Sequence, residues 1–305
     1  MEDIIQPIAK VLLKQELNEK HFIRTTRKGG NEIYIVNQHN APNVLLEIGR
    51  LREVTFRASG GGTGQSYDLD EFDTNETCYQ QLIVWSPEEE EIVGGYRFIL
   101  CGDALVNGEL KLSTTHYFDF NANFIEKYIP YTIELGRSWV QPLFQPSVDP
   151  RKGLFALDNI WDGLGALIVR YPNMKYFFGK VTMYSTFNVD ARNYLLNFLN
   201  HHFPDREQLL KPLQPLPLAL NDQFVVDTNE NLPYKDAFKK LNSYVREHGE
   251  NIPPLVNIYM NLSPSMRIFG TAVNHDFGSV EETGIMVTIE DIYPEKKERH
   301  MEGIS

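Results

Sequence analysis

The chain has 305 residues, of which 42% are hydrophobic, 12% aromatic and 23% charged, a composition that excludes wholesale disorder and collagen-like structure. The formal charge of −12 gives no overall positive field, so no nucleic-acid partner is expected. No run reaches ~18 apolar residues, so no transmembrane helix is expected, and Cys78 and Cys101 form no CxxC pair, which fits a reduced cytoplasmic protein without a zinc site.

In chain order the pattern is α/β. The leader MEDIIQPIAKVLLKQEL lacks the basic n-region and continuous apolar core of a signal peptide. Its Ile4, Ile5, Ile8, Val11, Leu12 and Leu17 recur near helical spacing, and packing against the domain is the expected use of that face. Glu32–Val36 reads as a short strand. Asn43 is placed to cap a helix running through Leu45, Leu46, Ile48, Leu51, Val54 and Phe56. SGGGTGQS (59–66) reads as a mobile loop or lid, because no Lys-Ser/Thr follows it and it comes after a helix, unlike a P-loop. QQLIVW (80–85) and IVGGYRFIL (92–100) read as a hairpin, with Glu88–Glu91 at its turn. TIELGRSWV (132–140) is a further strand. A proline-punctuated loop (141–153), a helix (154–170), a strand (177–185) and a helix (191–203) follow. Residues 211–233 look linker-like, 236–249 helical and 284–292 a last strand, and the charged tail after residue 293 is expected to fray.

The acidity is concentrated. Residues 66–103 hold ten acidic residues against one base, Arg97. Part is hairpin surface, but Asp68, Asp70 and Asp73 interleave with Tyr67, Leu69 and Phe72, so some face inward. The spacing lacks the turn glycine and final glutamate of a calcium loop. His201 and His202 are adjacent on a helix and point about 100° apart, which suits a helix end better than joint ligation. No GxSxG elbow is present. The remaining candidates are charges set in apolar elements: Arg52 four residues before Phe56, Asp70 and Asp73 around Phe72, Arg97 within GGYRFIL, and Glu134 and Arg137 around Leu135-Gly136. Isolated burial of such ions would cost several kcal/mol, so mutual pairing is expected.

Taken in order, Arg52-xxx-Phe56, YDLDEFD (67–73), GGYR (94–97), ELGR (134–137), FFGKVTMYS (177–185), IPPLVNIY (252–259) and GTAVNHDFG (270–278) carry a resemblance. They resemble the acyl-carrier-protein-dependent branch of the GNAT acyltransferase superfamily over roughly residues 45–290. That branch includes the bacterial ornithine and glycine N-acyltransferases of aminolipid synthesis, some labelled hemolysin-like, and more remotely the acyl-homoserine-lactone synthases. The resemblance implies a GNAT fold: a mixed, mostly antiparallel sheet flanked by helices, with a carboxy-terminal extension. It divides the chain into a leader helix and strand (1–40), an acyltransferase core (41–210) and an extension packed on the core (211–305). It implies transfer of a fatty or 3-hydroxy fatty acyl group to the amine of glycine or ornithine, with Arg52, Phe56, Asp70, Asp73, Arg97, Glu134 and Arg137 at signature positions. Where GNAT enzymes carry R/Q-x-x-G-x-G/A, this chain has SVDPRKGLFALDN (147–159). That departure implies an acyl-phosphopantetheine donor on acyl carrier protein rather than free coenzyme A, and no permanently bound cofactor. The location implied is cytoplasmic, and a lipidic product is compatible with peripheral contact at the inner membrane.

The residues themselves suit this chemistry. Acyl transfer to an amine needs a base and donors for the thioester oxyanion. Burial in its strand would raise Glu134 toward a useful base. Glu134 and Arg137 would fall on opposite faces of a regular strand, and a bulge with Gly136 as the permissive residue would bring them together and free main-chain N–H donors. Arg97 or Arg137 can grip an amino-acid carboxylate, while Asp70 or Asp73 can hold the acceptor's ammonium or orient the arginines. Arg151, Lys152 and Gly153, with Lys175 and Lys180, are expected at the helix N-terminus that takes the pantetheine phosphate and docks the carrier. Two other readings fit the motifs: a lactone synthase using S-adenosylmethionine, and a non-catalytic acyl-binding or carrier-binding module.

Overall fold

The computed structural model describes residues 1–301. The strands are β1 (Phe22–Thr25), β2 (Glu32–Val36), β3 (Gln80–Ser86), β4 (Glu91–Leu100), β5 (Leu105–Val106), β6 (Glu109–Leu110), β7 (Phe118–Phe120), β8 (Thr132–Val140), β9 (Tyr176–Met183), β10 (Leu210–Pro212), β11 (Arg267–Asn274) and β12 (Val280–Thr288). The helices are α1 (Lys10–Glu16), α2 (Pro42–Ala58), α3 (Glu71–Thr74), α4 (Ala122–Lys127), α5 (Ala156–Arg170), α6 (Val189–His202), α7 (Asp222–Asn229), α8 (Tyr234–Glu247), α9 (Pro254–Met260) and α10 (Pro294–Met301).

Among the described residues the main sheet has eight strands in the order β1-β2-β3-β4-β8-β9-β12-β11. Every pairing is antiparallel except β8 with β9. The expected α/β architecture, a mostly antiparallel mixed sheet flanked by helices, is therefore what the chain forms. The hairpin β3–β4 follows from its two apolar runs, with Glu90 taking the left-handed conformation at the turn. One face of the sheet is covered by α5, α6, α8 and α9, whose Ile160, Leu164, Leu195, Leu241 and Val256 join Leu82, Tyr96 and Phe98 in one core. On the other face α1 and α2 bury Leu13, Val44, Ile48 and Leu51 against Ile83 and Trp85. Phe124 of α4 closes the far end of that face against Ile99, Phe178 and Phe269. The carboxy-terminal segment supplies the last two strands, β12 beside β9 and β11 at the edge.

Several local expectations change. The leader is helical only over α1, while Glu2 and Ile5 precede it and donate their main-chain N–H groups to the carbonyls of Gly64 and Ser66. Asn43 does not cap α2: the helix begins at Pro42, which is pre-organised for a first turn, and the Asn43 amide donates to Glu16 Oε1 at 2.7 Å. The linker-like stretch contains β10, which pairs with β7, and α7. The final strand begins at Val280 rather than at residue 284. Of the tail expected to fray, α10 is helical, and its Arg299 and His300 hold Asp158 and Asp162 of α5, while residues 302–305 lie outside the described residues.

Candidate active site

Strands β8 and β9 pair only from Thr132↔Tyr176 to Leu135↔Gly179. Beyond that point β8 stays with β4 as far as Val140, and β9 stays with β12 as far as Met183. Each strand keeps its outer partner, so the sheet splits between them into a slot. The strands of Arg97 and Glu134, β4 and β8, are hydrogen-bonded neighbours; the opening lies one strand over. A cavity of about 410 Å³ fills the slot. On the α5 side its wall is apolar, with Ile160, Trp161, Leu164, Phe177 and Val181. On the α2 side it is polar, with Arg97, Ser113, Thr114, Glu134, Arg137 and Lys180. Alternation along the strands produces this split: Tyr96 and Leu135 face α5, whereas Arg97 and Glu134 face the other way.

A bulge shapes β8 at the mouth of the slot. Gly95 pairs with Trp139 and Arg97 with Gly136, so Tyr96 opposes two residues, Arg137 and Ser138. The expected bulge is present, but its left-handed residue is Arg137 (φ 49°), and Gly136 keeps an ordinary backbone. A non-glycine residue at such φ costs energy that surrounding contacts must offset. Arg137 has them: Nη2 lies 3.2 Å from Asp68 Oδ1 and 3.6 Å from Asp70 Oδ2, and its guanidinium stands 4.7 Å over the Phe277 ring. The bulge brings Glu134, Gly136 and Arg137 to one cavity. It also takes Arg137 and Ser138 out of the regular β4 register where β9 has already departed.

Glu134 is fully buried. Its Oε1 accepts from Ser113 Oγ at 2.6 Å and its Oε2 from Thr114 Oγ1 at 3.1 Å. Burial pushes its carboxyl above the ordinary glutamate range, and the hydroxyls and Arg97 only partly offset that. Ser113 and Thr114, which hold the Glu134 carboxylate, escape a reading of the sequence because they sit in a short 3-10 turn that carries no motif.

The charged signature residues form a second layer behind the cavity. Arg52 donates from Nε to Asp68 at 3.0 Å and from Nη1 and Nη2 to Asp73 at 3.2 and 3.1 Å. Arg97 Nη1 donates to Asp70 at 2.6 Å and to Asp73 at 3.1 Å. Gln81 adds a 2.9 Å bond to Asp73, and Asp70 and Asp73 form a capping box on α3. Burial opposes the charge on Arg52, yet Asp68 and Asp73 hold it firmly protonated. Burial likewise opposes the Asp73 carboxylate, yet Arg52 and Arg97 hold it far below the usual range. Arg52, Asp70 and Asp73 thus lie outside the cavity wall and position Arg97 and Arg137, which form part of it. Phe56 lines the cavity and packs edge-on against Phe277 at 5.2 Å. Asp68 joins Arg52 to Arg137; its place in YDLDEFD marks it, though pairing alone reveals its role.

The glycine-rich loop rests on the rim. Buried Glu53 accepts from Thr63 N at 3.0 Å, Thr63 Oγ1 at 2.9 Å and Gly64 N at 2.8 Å. A side chain on Gly61 would press on Tyr184 and Phe277, both cavity residues.

The expected carrier-docking lysines are dispersed. Lys152 pairs with Glu89 at 2.7 Å, Lys175 stands 4.4 Å over the Tyr131 ring, and Lys180 is half-buried on the cavity wall, bonded to Glu282. Gly153 is packed against Pro146, and the Asp149 carboxylate accepts from the main chain of Arg151 and Lys152. Lys152, Lys175 and Lys180 each face a local partner, an acid or an aromatic ring, while Arg151 is exposed.

The acetyltransferase (GNAT) domain family matches residues 51–149. The chain is 53% identical to a glycine N(alpha)-acyltransferase of Bacteroides thetaiotaomicron, over 99% of this chain and 90% of the relative. It is 51% identical to a glycine N(alpha)-acyltransferase of Phocaeicola vulgatus, over 99% of this chain and 94% of the relative. No solved structure matches it significantly.

Proposed function

The chain belongs to the GNAT superfamily of N-acyltransferases, and from that premise we propose that it moves a fatty acyl group from acyl carrier protein to the amine of glycine in aminolipid synthesis. It is an acyltransferase, which sets aside the reading as a non-catalytic binding module. The observation that carries the proposal is the through-sheet slot, with a buried carboxylate on one side and an apolar compartment on the other. In this reading the acyl chain occupies the α5 side and the thioester carbonyl lies over the bulge. The glycine amine attacks that carbonyl from the α2 side. Glu134 receives the amine proton, directly or through a water, and main-chain N–H groups near Arg137 and Ser138 hold the oxyanion. The C–S bond then breaks, and the departing pantetheine thiolate takes up the proton held by Glu134, directly or through a water.

The choice of glycine over ornithine rests on the names of the two relatives. The choice of a carrier over coenzyme A rests on the sequence SVDPRKGLFALDN (147–159), which departs from the pyrophosphate-loop pattern. No helix among the described residues is long and apolar enough to cross a membrane. The test is purified protein with acyl carrier thioester or acyl-coenzyme A and a panel of amino acids, read by mass spectrometry. N-acylglycine formed faster from the carrier thioester is expected; acylation of ornithine or S-adenosylmethionine instead would overturn the acceptor assignment.

The same reading gives Tyr96 a use. Its hydroxyl is buried on the apolar side and has no partner among the described residues. A buried hydroxyl without a bond is costly, and a 3-hydroxyl on the acyl chain would satisfy it. Tyr96→Phe is expected to lower the preference for 3-hydroxyacyl over unsubstituted donors about 10-fold in competition assays. An unchanged preference would remove Tyr96 from donor selection.

A further inference from the structure

We infer that the acceptor's carboxylate binds over the bare face of Gly136, on the Nε–H groups of Arg97 and Arg137. The inference rests on the acyl-transfer reading for its ligand and on three observations for its place. First, both guanidinium groups have terminal nitrogens committed to aspartates: Arg97 Nη1 to Asp70 and Asp73, and Arg137 Nη2 to Asp68 and Asp70. The Nε of each is nevertheless buried without a partner among the described residues, although both side chains line the cavity. Buried charged donors without a partner are rare in folded proteins, and an anion is what would complete them.

Second, Gly136 lies beside them with no backbone need to be glycine, since the left-handed residue of the bulge is Arg137. A Cβ there would stand 3.7 Å from Arg97 Nε and 3.8 Å from Arg97 Cγ, an ordinary contact that the fold can accept. The missing side chain leaves that nitrogen without a methyl group against it. Third, Glu134 is two residues along the same strand and on the same face, about 6.6 Å away at strand rise. A carboxylate over Gly136 therefore directs the α-amine of a short amino acid toward the proposed base. Lys180 adds a further cation to this polar side of the wall.

The test compares glycine with glycinamide as acceptor. Arg97→Gln removes one donor but also loosens the aspartate network, so Gly136→Ala is the informative variant. Wild type is expected to prefer glycine about 100-fold in kcat/KM, as charge-assisted recognition of a carboxylate allows. Gly136→Ala is expected to raise the KM for glycine about 10-fold or more, move kcat less, and compress the preference to below about 10-fold. A preference that survives in Gly136→Ala overturns the assignment. Titration of 13C-acetate into donor-free protein, followed by NMR, separates this from the acyl-transfer reading. Acetate binding that is lost in Gly136→Ala supports the carboxylate site even if no amine is acylated. Acetate binding that is absent from wild type, or equal in both proteins, counts against it.

Discussion

Replacing Glu134 by glutamine should lower kcat by about 10²–10⁴-fold, the usual contribution of a positioned general base. The substitution keeps the side chain's size, and Ser113 and Thr114 can turn their hydroxyls to bond the amide. The pH profile separates a base from a mere anchor. Burial raises the Glu134 carboxyl, so the acidic limb of kcat should fall above the ordinary glutamate range near about pH 4.3, and the variant should lack that limb. The stability effect has the opposite sign. With a raised pKa the native state holds its proton to higher pH than the unfolded chain does, so stability falls as pH rises through that window. At neutral pH Glu134→Gln should therefore melt no lower than wild type. Full activity in the variant would reduce Glu134 to a tether for the 113–116 turn.

The largest stability effect is expected at Asp73. Its carboxylate accepts from Arg52, Arg97, Gln81 and the Asp70 main chain, and it is fully buried. Asp73→Asn leaves two buried guanidinium groups short of their counter-charge. Breaking a buried pair from one side costs about 3–5 kcal/mol, which lowers Tm by roughly 10 °C in a chain of this size. Because Arg52 and Arg97 hold the carboxyl far below its usual range despite burial, its contribution is present above the ordinary aspartate value and is lost only as pH falls through the depressed native one. The deficit of the variant should thus be flat from about pH 5 upward. Thermal melts of Asp73→Asn beside Glu90→Gln, which removes the exposed Lys14 partner, check this. Equal melts for the two variants would contradict the role given to the network.

Much of the scaffold is legible from residue pattern because it consists of long, strongly patterned elements. The hairpin β3–β4, strand β8 and helices α2, α5 and α6 all carry apolar runs of clear period. What escapes is short or irregular. Strand β11 is interrupted at Gly270, which takes φ 84° beside a register shift. Strand β10 ends on Pro212, and α3 has four residues. The candidate site divides in the same way. Arg97, Glu134 and Arg137 stand out as charges within apolar strands, a local signal. The slot beside them is not local: it exists because β8 and β9 keep different outer partners, which only the assembled sheet decides. Ser113 and Thr114 matter because the 113–116 turn folds onto β8. Lys180 does not join Arg151 and Lys152 before α5, because it stands on the cavity wall and takes Glu282.

The division of labour across the sheet is tested most directly by a crystal structure with a non-hydrolysable acyl-pantetheine and glycine. The acyl chain is expected between Trp161, Leu164 and Val181, the carbonyl in the gap between β8 and β9 over Arg137 and Ser138, and the amine within reach of Glu134. An acyl chain bound elsewhere, with the slot between β8 and β9 left to solvent, would contradict the account.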